Sequence, residues 1–197
     1  MPVTMEYEKR VMLNEEQYFN IVSFYLHQDA RYPFISQTNY YFDTKDLFLK
    51  QNHMVLRVRI IKNKGSEFTL KIKEEKGDRE VTQKLSYLAT KSLLKKNHFP
   101  KGEIIKELAE KGIAISSLCL IANLTTLRLE IKENDYLVVI DKNEYLDVLD
   151  YNLEIESSSR EKAKEVILDF CNKFNLEYKK DYVSKSSRVF NRIYNKN

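Results

Sequence analysis

The sequence predicts an α+β fold: a closed, eight-stranded antiparallel β-barrel, or tunnel, with a charged interior and with helices packed on its outside. Apolar and polar residues alternate with a period of two in eight segments, which is typical of strands. Tight turns join several segments, as in an antiparallel meander, and amphipathic segments with helical periodicity fill the gaps. The strands are predicted at 4–12, 36–43, 54–62, 67–75, 79–86, 124–133, 136–142 and 151–157.

Short polar segments separate these strands. Turns are predicted at 63–66, 76–78 and 133–135, where glycine, asparagine and aspartate are common. Asn14 and Gln17 have the spacing of a capping box, which predicts a helix that ends near Leu26. Ser158 with Glu161 predicts the start of a second helix that continues to about Phe174. Further helices are predicted at 89–97, 103–112 and 184–194.

Length and composition indicate one globular domain covering residues 1–197. Hydrophobic residues make up 43% and charged residues 31%, which argues against wholesale disorder. No apolar run approaches the ~18 residues of a membrane span, and the N-terminal segment lacks the apolar core of a signal peptide. Cys119 and Cys171 form no CxxC motif and are expected to be reduced core thiols. We therefore expect a cytoplasmic protein that does not bind membranes.

The composition also argues against several kinds of site. The four glycines are isolated, so neither a GxGxxG nor a GxxxxGK[ST] phosphate loop is present. The three histidines are scattered and lack metal-ligand spacing, which disfavours a zinc site or a histidine-based triad. The net charge of +4 is low for a domain that coats duplex nucleic acid, so no nucleic-acid partner is expected.

Charged residues occur in pairs on the predicted strands. Side chains at i and i+2 of a strand share one face, and here the residues between the charged ones are apolar. For any one strand, an ordinary solvated outer face explains such a pair. Across five strands, a closed sheet with the charges inside and helices over the apolar outside satisfies the whole pattern. The acidic pairs are Glu6 with Glu8 and Glu154 with Glu156; the basic residues are Arg57, Arg59, Lys71, Lys73 and Arg128.

A charged interior needs ligands, because buried charges are costly unless they are paired or coordinated. The four paired glutamates offer hard oxygen ligands that suit Mg²⁺ or Mn²⁺. The arginines and lysines suit phosphate oxygens. Carboxylates for a divalent cation beside bases for phosphate are typical of a metal–polyphosphate site.

A set of short motifs occurs in a fixed order along the chain. Residues 6–10 (EYEKR) are similar to ExExK with Arg10 in the last place, and 39–44 contain YFDT. Residues 56–59 fit LRxR, 69–71 are TLK, Glu80 and Gln83 fit E-x-x-Q, and 124–128 fit LTTxR. Residues 150–156 (DYNLEIE) are similar to DYELEYE, and Lys185 and Arg188 follow near the C-terminus. Over nearly the whole chain, this set resembles the CYTH superfamily, or triphosphate tunnel metalloenzymes, and within it a bacterial branch often labelled as adenylate cyclase.

The resemblance implies an eight-stranded antiparallel tunnel and Mg²⁺- or Mn²⁺-dependent chemistry on a triphosphate. The expected metal ligands are Glu6, Glu8, Asp141, Glu154 and Glu156. The expected substrate-binding residues are Arg10, Arg57, Arg59, Lys71, Lys73, Arg128, Lys185 and Arg188. The expected catalytic set is Glu6, Glu8, Arg57, Arg59, Lys71, Lys73, Glu80, Arg128, Asp141, Glu154 and Glu156.

Structural alternatives exist for some of these residues. Asp141 could equally begin a turn before Lys142. Glu80 could form a salt bridge with a neighbouring lysine as well as line the tunnel. For Asp43 and Thr44 we favour a capping role for the segment that follows them.

Hydrolysis of a triphosphate is the leading functional hypothesis, with inorganic triphosphate preferred over a nucleotide or thiamine triphosphate. The attacking water would be activated by a metal or by a carboxylate. An adenylyl cyclase and a non-catalytic module that binds polyphosphate or nucleotides are the alternatives. The protein is expected to be a monomer or a homodimer.

Overall fold

The structure is a computed structural model that describes residues 3–74, 77–179 and 183–194, and all their side chains except those of residues 3–6 and 77. Within these ranges it has eight strands and six α-helices. The strands are β1 (Val3–Leu13), β2 (Phe34–Asp43), β3 (Met54–Ile61), β4 (Gly65–Glu74), β5 (Gly77–Leu85), β6 (Cys119–Lys132), β7 (Tyr136–Tyr145) and β8 (Val148–Ser157). The helices are α1 (Glu15–Gln28), α2 (Phe48–Gln51), α3 (Tyr87–Lys96), α4 (Glu103–Glu110), α5 (Arg160–Phe174) and α6 (Lys185–Tyr194).

This element order confirms the predicted α+β class and the antiparallel pairing. The described chain divides into two compact units. Unit 1 comprises Met1–Met5, Thr38–Leu124 and Lys185–Asn197, and unit 2 comprises Glu6–Gln37 and Thr125–Ser184, each as far as it is described. Closure of the sheet into a tunnel and the assignment of 1–197 to one domain remain predictions.

In unit 1, β4 pairs with β3 on one side and with β5 on the other, both antiparallel. Alternate residues of β3 and β4 point to one face, where Leu56, Val58, Phe68 and Leu70 are fully buried. Helices α3 and α4 cover this face with the side chains of Leu93, Ile104 and Leu108. Each such buried side chain contributes about 1.5–3 kcal/mol relative to exposure. The apolar half of the alternation is thus the core of unit 1, as predicted.

In unit 2, β8 pairs with β1 and β7, and β7 also pairs with β6. The register places Val11, Leu153, Ile140 and Leu129 in one row across the four strands. These four residues belong to a core that α1 and α5 complete. The opposite face of the same strands carries the charged side chains.

Side-chain caps mark the starts of α1 and α5. Asn14 accepts a hydrogen bond from the Gln17 backbone amide at 2.8 Å, and the Gln17 side chain accepts one from the Asn14 amide at 2.9 Å, which confirms the capping box. For α5 the cap is Ser159, which accepts from the Lys162 amide at 3.2 Å, so the predicted start at Ser158 was one residue early.

The four-residue helix α2 was not predicted. Its first turn is held by Asp43, whose carboxylate accepts hydrogen bonds from the backbone amides of Leu49 at 2.8 Å and Lys50 at 3.0 Å. The Thr44 hydroxyl accepts one from the Phe48 amide at 2.9 Å. Asp43 and Thr44 therefore have the capping role that we favoured for them.

Two sequence expectations about the chain can be compared with the structure. Cys119 and Cys171 are both free thiols; Cys171 is buried in the core as expected, whereas Cys119 is only half-buried. None of the described helices combines the length and the apolar character that a bilayer crossing needs. The predicted turn at 76–78 includes Lys76, which lies outside the described residues.

Replacing Asn14 with alanine tests the capping box. The variant should lose about 1 kcal/mol in the free energy of unfolding. The Gln17 backbone amide loses its acceptor, the Asn14 side chain, and the reciprocal bond from the backbone amide of residue 14 to the Gln17 side chain is weakened. Urea denaturation followed by circular dichroism measures this change. Asn172→Ala, at an exposed position inside α5, is the control and should change stability by less than about 0.5 kcal/mol. Equal losses in the two variants would contradict the capping role.

Candidate functional site

Three carboxylates converge on the charged face of unit 2. Glu8 lies on β1, opposite Glu156 in the antiparallel register, and Glu154 lies two residues before Glu156 on β8. One carboxylate oxygen from each of the three lies within 4.8 Å of the others. Glu154 is buried, and Glu8 and Glu156 are half-buried. We call Glu8, Glu154 and Glu156 the acidic cluster.

The acidic cluster unites three of the five predicted metal ligands. Its donors are carboxylate oxygens, the type that Mg²⁺ and Mn²⁺ prefer, and their spacing fits one divalent cation. The side chain of Glu6 lies outside the described residues. Asp141 does not belong to this group of three, so its assignment as a metal ligand remains a prediction.

Two buried arginines hold the carboxylates of unit 2 in place. Arg10 donates a hydrogen bond from Nε to Glu154, and its Nη2 donates to Glu8 Oε1 at 2.6 Å. Arg128 binds Asp141 through two hydrogen bonds, from Nε at 2.8 Å and from Nη2 at 2.9 Å. Its Nη2 also lies 3.4 Å from Glu154 Oε2. Glu154 is therefore held by one guanidinium on each side.

The surroundings of Arg128 fix its charge. Burial on its own would lower the pKa of the guanidinium, but Asp141, Glu154 and Glu156 outweigh it and raise the pKa well above its usual value. The Nη1 atom of Arg128 lies 3.5 Å from Glu130 Oε1. Because its donors face carboxylates, Arg128 has a structural task that the prediction of phosphate binding did not include. The same holds for Arg10.

A second charged face lies in unit 1. Arg57 on β3, Lys71 on β4 and Glu80 on β5 share it, as the strand register requires. Glu80 lies 3.5 Å from Arg57 Nη2 and 3.2 Å from Lys71 Nζ. Arg59 donates from Nε to Asn39 Oδ1 at 3.1 Å. Glu80 thus forms the salt bridges considered from the sequence and lies among predicted phosphate-binding residues.

The guanidinium of Arg57 has spare donor capacity. Its Nε is buried, and no described residue accepts a hydrogen bond from it. Its contact with Glu80, at 3.5 Å, is long for a hydrogen bond. Buried N–H groups are usually satisfied, so the arrangement is suited to an added acceptor such as a phosphate oxygen.

The remaining predicted residues also lie in unit 1. Lys73 is exposed near the end of β4 and pairs in register with Asp78. Lys185 and Arg188 are half-buried in the first turns of α6. Helix α6 packs through Phe190, whose ring centroid lies 5.9 Å from that of Tyr41. Their part in phosphate binding remains a prediction.

Sequence reasoning did not identify the amides of unit 2. Asn143 and Asn152 are fully buried on the same face as the charged residues. They hydrogen-bond to one another and to Asp150 and Asp141. Their only sequence signal is position, since each lies at an i±2 spacing from a charged residue of the same strand.

Comparisons with known proteins agree on one family. The family model described as CYTH domain matches residues 4–189. "Putative triphosphatase YjbK" from Bacillus subtilis (strain 168) is 28% identical over 178 residues, which cover 89% of this chain and 90% of the relative. The crystal structure of a "putative adenylate cyclase" from Bacillus halodurans is 31% identical, covers 96% of this chain and 100% of its own, and superposes with a TM-score of 0.88.

A more distant structure supports the fold. "Putative adenylyl cyclase HpAC1" from Hippeastrum, for which a dominant triphosphatase activity is described, is 19% identical and has a TM-score of 0.76. The match covers 95% of this chain and 96% of that one.

Replacing Glu80 with glutamine should reduce the decrease in the free energy of unfolding that occurs as the pH is lowered. Burial would raise the pKa of Glu80, but Arg57, Lys71 and Arg59 outweigh it, and the pKa lies below its usual value of 4.5. The lowered pKa adds stability that is present above the unfolded-state pKa and is lost as pH falls through the folded-state pKa. Urea unfolding at several pH values between about 3 and 7 should show the larger acid loss in the wild type.

Glu110→Gln is the control for this experiment, because Glu110 is exposed on α4. It should keep most of the acid-dependent loss of the wild type. Parallel stability profiles for the wild type and Glu80→Gln would contradict the role of Glu80 as an ion-pair partner.

Proposed function

Because the chain belongs to the CYTH domain family, we propose that it is a divalent-cation-dependent triphosphatase that prefers inorganic triphosphate. Relatives that match along most of the chain bear the names of a triphosphatase and an adenylate cyclase, both of which act on triphosphates. The observation that carries the proposal is the acidic cluster, in which oxygens of Glu8, Glu154 and Glu156 lie within 4.8 Å of one another.

The proposal assigns cation binding to the acidic cluster, with Glu6 and Asp141 as the further predicted ligands. Bound Mg²⁺ or Mn²⁺ would neutralise the charge of phosphate oxygens. Arg10 and Arg128 keep the carboxylates of Glu8 and Glu154 oriented before any cation binds.

Phosphate binding is assigned to the basic residues of unit 1. Arg57 offers a buried Nε–H with no described acceptor, and Lys71 offers an ammonium held at 3.2 Å by Glu80. Arg59, Lys73, Lys185 and Arg188 complete the proposed set. Donors fixed in advance toward the transferred phosphoryl group stabilise the charge that develops on it. A carboxylate can accept the proton of the attacking water.

Inorganic triphosphate is the preferred substrate because we identify no pocket for a base or a thiazole ring in the sequence. A nucleotide or thiamine triphosphate is the alternative substrate. Adenylyl cyclase is a second candidate activity, favoured by the 31% identity to the Bacillus halodurans protein. A closed tunnel, a cytoplasmic location and a monomeric or homodimeric state remain part of the proposal.

Phosphate release tests the proposal directly. Purified protein is incubated with inorganic triphosphate or with ATP, each in Mg²⁺, Mn²⁺ or EDTA, and phosphate and cyclic AMP are measured. We expect release that requires a cation and is faster with inorganic triphosphate. Glu156→Gln should lower turnover by at least about a hundredfold while the protein stays folded, because the acidic cluster loses one anionic ligand.

Glu144→Gln is the matched control, since Glu144 is exposed on β7 and should keep wild-type turnover. Cyclic AMP formed from ATP without phosphate release would favour the cyclase. Tight triphosphate binding without turnover in either metal would favour a non-catalytic binding module. Wild-type turnover in Glu156→Gln would refute the role of the acidic cluster.

Replacing Arg57 with alanine should weaken substrate binding. A hydrogen bond between charged groups is worth about 1.5–3 kcal/mol, so KM for triphosphate should rise about tenfold to a hundredfold. Steady-state kinetics at saturating Mn²⁺ measures KM and kcat separately. Lys62→Ala, an exposed lysine beyond the end of β3, is the control and should leave KM within about twofold. An unchanged KM in Arg57→Ala would show that Arg57 does not contact the substrate.

A further inference from the structure

A hydrogen-bonded group of buried polar side chains adjoins the acidic cluster in unit 2. Thr126, Asp141, Asn143 and Asn152 are each 0% exposed. The strand register brings them together, because Thr126 is paired with Asn143 and Asp141 with Asn152. Buried polar groups of this kind are costly unless they are satisfied, so the exact partners matter.

The hydrogen bonds form a continuous series that runs from Thr126 to Asp141. The Thr126 hydroxyl donates to Asn143 Oδ1 at 2.9 Å. The Asn143 amide donates to Asn152 Oδ1 at 2.8 Å and to Asp150 Oδ1 at 3.0 Å. The Asn152 amide in turn donates to Asp141 Oδ2 at 3.4 Å. Asn152 therefore accepts at one end and donates at the other, which an amide can do and a carboxylate cannot.

The orientation of Asp141 in turn determines the orientation of Arg128. Its two oxygens bind Nε and Nη2 of Arg128, which fixes the plane of the guanidinium. In that plane, Nη2 reaches Glu154 Oε2 at 3.4 Å. This distance is at the long end for a hydrogen bond, so a small rotation of Asp141 would take Arg128 out of reach of Glu154.

We propose that Asn152, held by Asn143, is a positioning residue for the acidic cluster: it fixes Asp141, and through Asp141 and Arg128 it fixes the carboxylate of Glu154. The proposal deepens the proposed function, on which it rests for the role of the cluster in cation binding. It assigns to a neutral residue on β8 a share in the affinity for a divalent cation. Neither amide contacts the cation or the substrate in this role.

Replacing Asn152 with leucine tests the proposal, because leucine has a similar size and no donor. Isothermal titration with Mn²⁺ alone measures the affinity of the folded protein without substrate. We expect the Kd for Mn²⁺ to rise about tenfold, the low end of the roughly 10- to 100-fold loss of metal affinity that follows removal of a residue that orients a metal ligand. Phosphate release should return to within about twofold of the wild type once Mn²⁺ is saturating, and KM for triphosphate should hardly change.

A double-mutant cycle tests whether Asn143 and Asn152 act in series through their hydrogen bond. Asn143→Leu should weaken Mn²⁺ binding in the same direction, and Asn143→Leu/Asn152→Leu should lose no more affinity than Asn152→Leu alone. Strictly additive losses would overturn the idea that Asn143 acts through Asn152.

Thr90→Val is the control for removing a buried polar group elsewhere, since the Thr90 hydroxyl donates to the Ser86 carbonyl oxygen in unit 1. It should bind Mn²⁺ as the wild type does. Wild-type Mn²⁺ affinity in Asn152→Leu, or equal loss of affinity in Thr90→Val, would overturn the proposal. If circular dichroism shows that Asn152→Leu is unfolded, Asn152→Ala is measured against the same two outcomes.

The cation titration also separates this proposal from the proposed function. It needs no turnover, so it remains decisive if the wild type releases no phosphate from any triphosphate. Conversely, if the wild type releases phosphate and Asn152→Leu binds Mn²⁺ with wild-type affinity, the proposed function stands and the positioning role of Asn152 is refuted.

Discussion

The pairing of buried carboxylates with two guanidinium groups is the interaction on which the site depends. Glu154 is almost completely buried, and Arg10 and Arg128 both reach it. An isolated buried carboxylate would be strongly disfavoured in its charged form. Hydrogen bonds from both arginines to Glu154 offset that cost. The two arginines therefore orient the carboxylate of Glu154 within the acidic cluster.

Hydrogen bonding also distinguishes Arg128 from Arg57. Arg128 directs its donors to carboxylates of unit 2. Arg57 retains a buried Nε–H that no described residue accepts. An arginine whose donors are engaged mainly orients its partners, whereas one with a spare donor can bind an incoming anion. The distinction follows from hydrogen bonding rather than from charge, which is the same for both residues.

Most of the fold could be predicted because local signals are strong along this chain. The period-two alternation identified all eight strands, and the capping box of Asn14 and Gln17 identified the start of α1. The start of α5 was missed by one residue, because three successive serines, Ser157 to Ser159, offer the same capping chemistry. Helix α2 has only four residues, too few for a periodic signal, and depends on the buried carboxylate of Asp43.

For the candidate site, the sequence predicts which residues share a strand face but not which side chains meet between strands. The i, i+2 rule places Glu154 and Glu156 on one face of β8, but it cannot tell which side chain on a neighbouring strand each will meet. The bond between Arg128 and Asp141 depends on the register of β6 and β7, which the sequence does not reveal. Asn143 and Asn152 carry no charge, and the residue type alone does not distinguish a buried, hydrogen-bonded asparagine from a solvent-exposed one. Their importance emerges only when directional hydrogen bonds are followed from Thr126 to Asp141, since direction decides whether an amide can be replaced by a carboxylate. In a charged site of this kind, the neutral residues thus determine how firmly the charged ones are held.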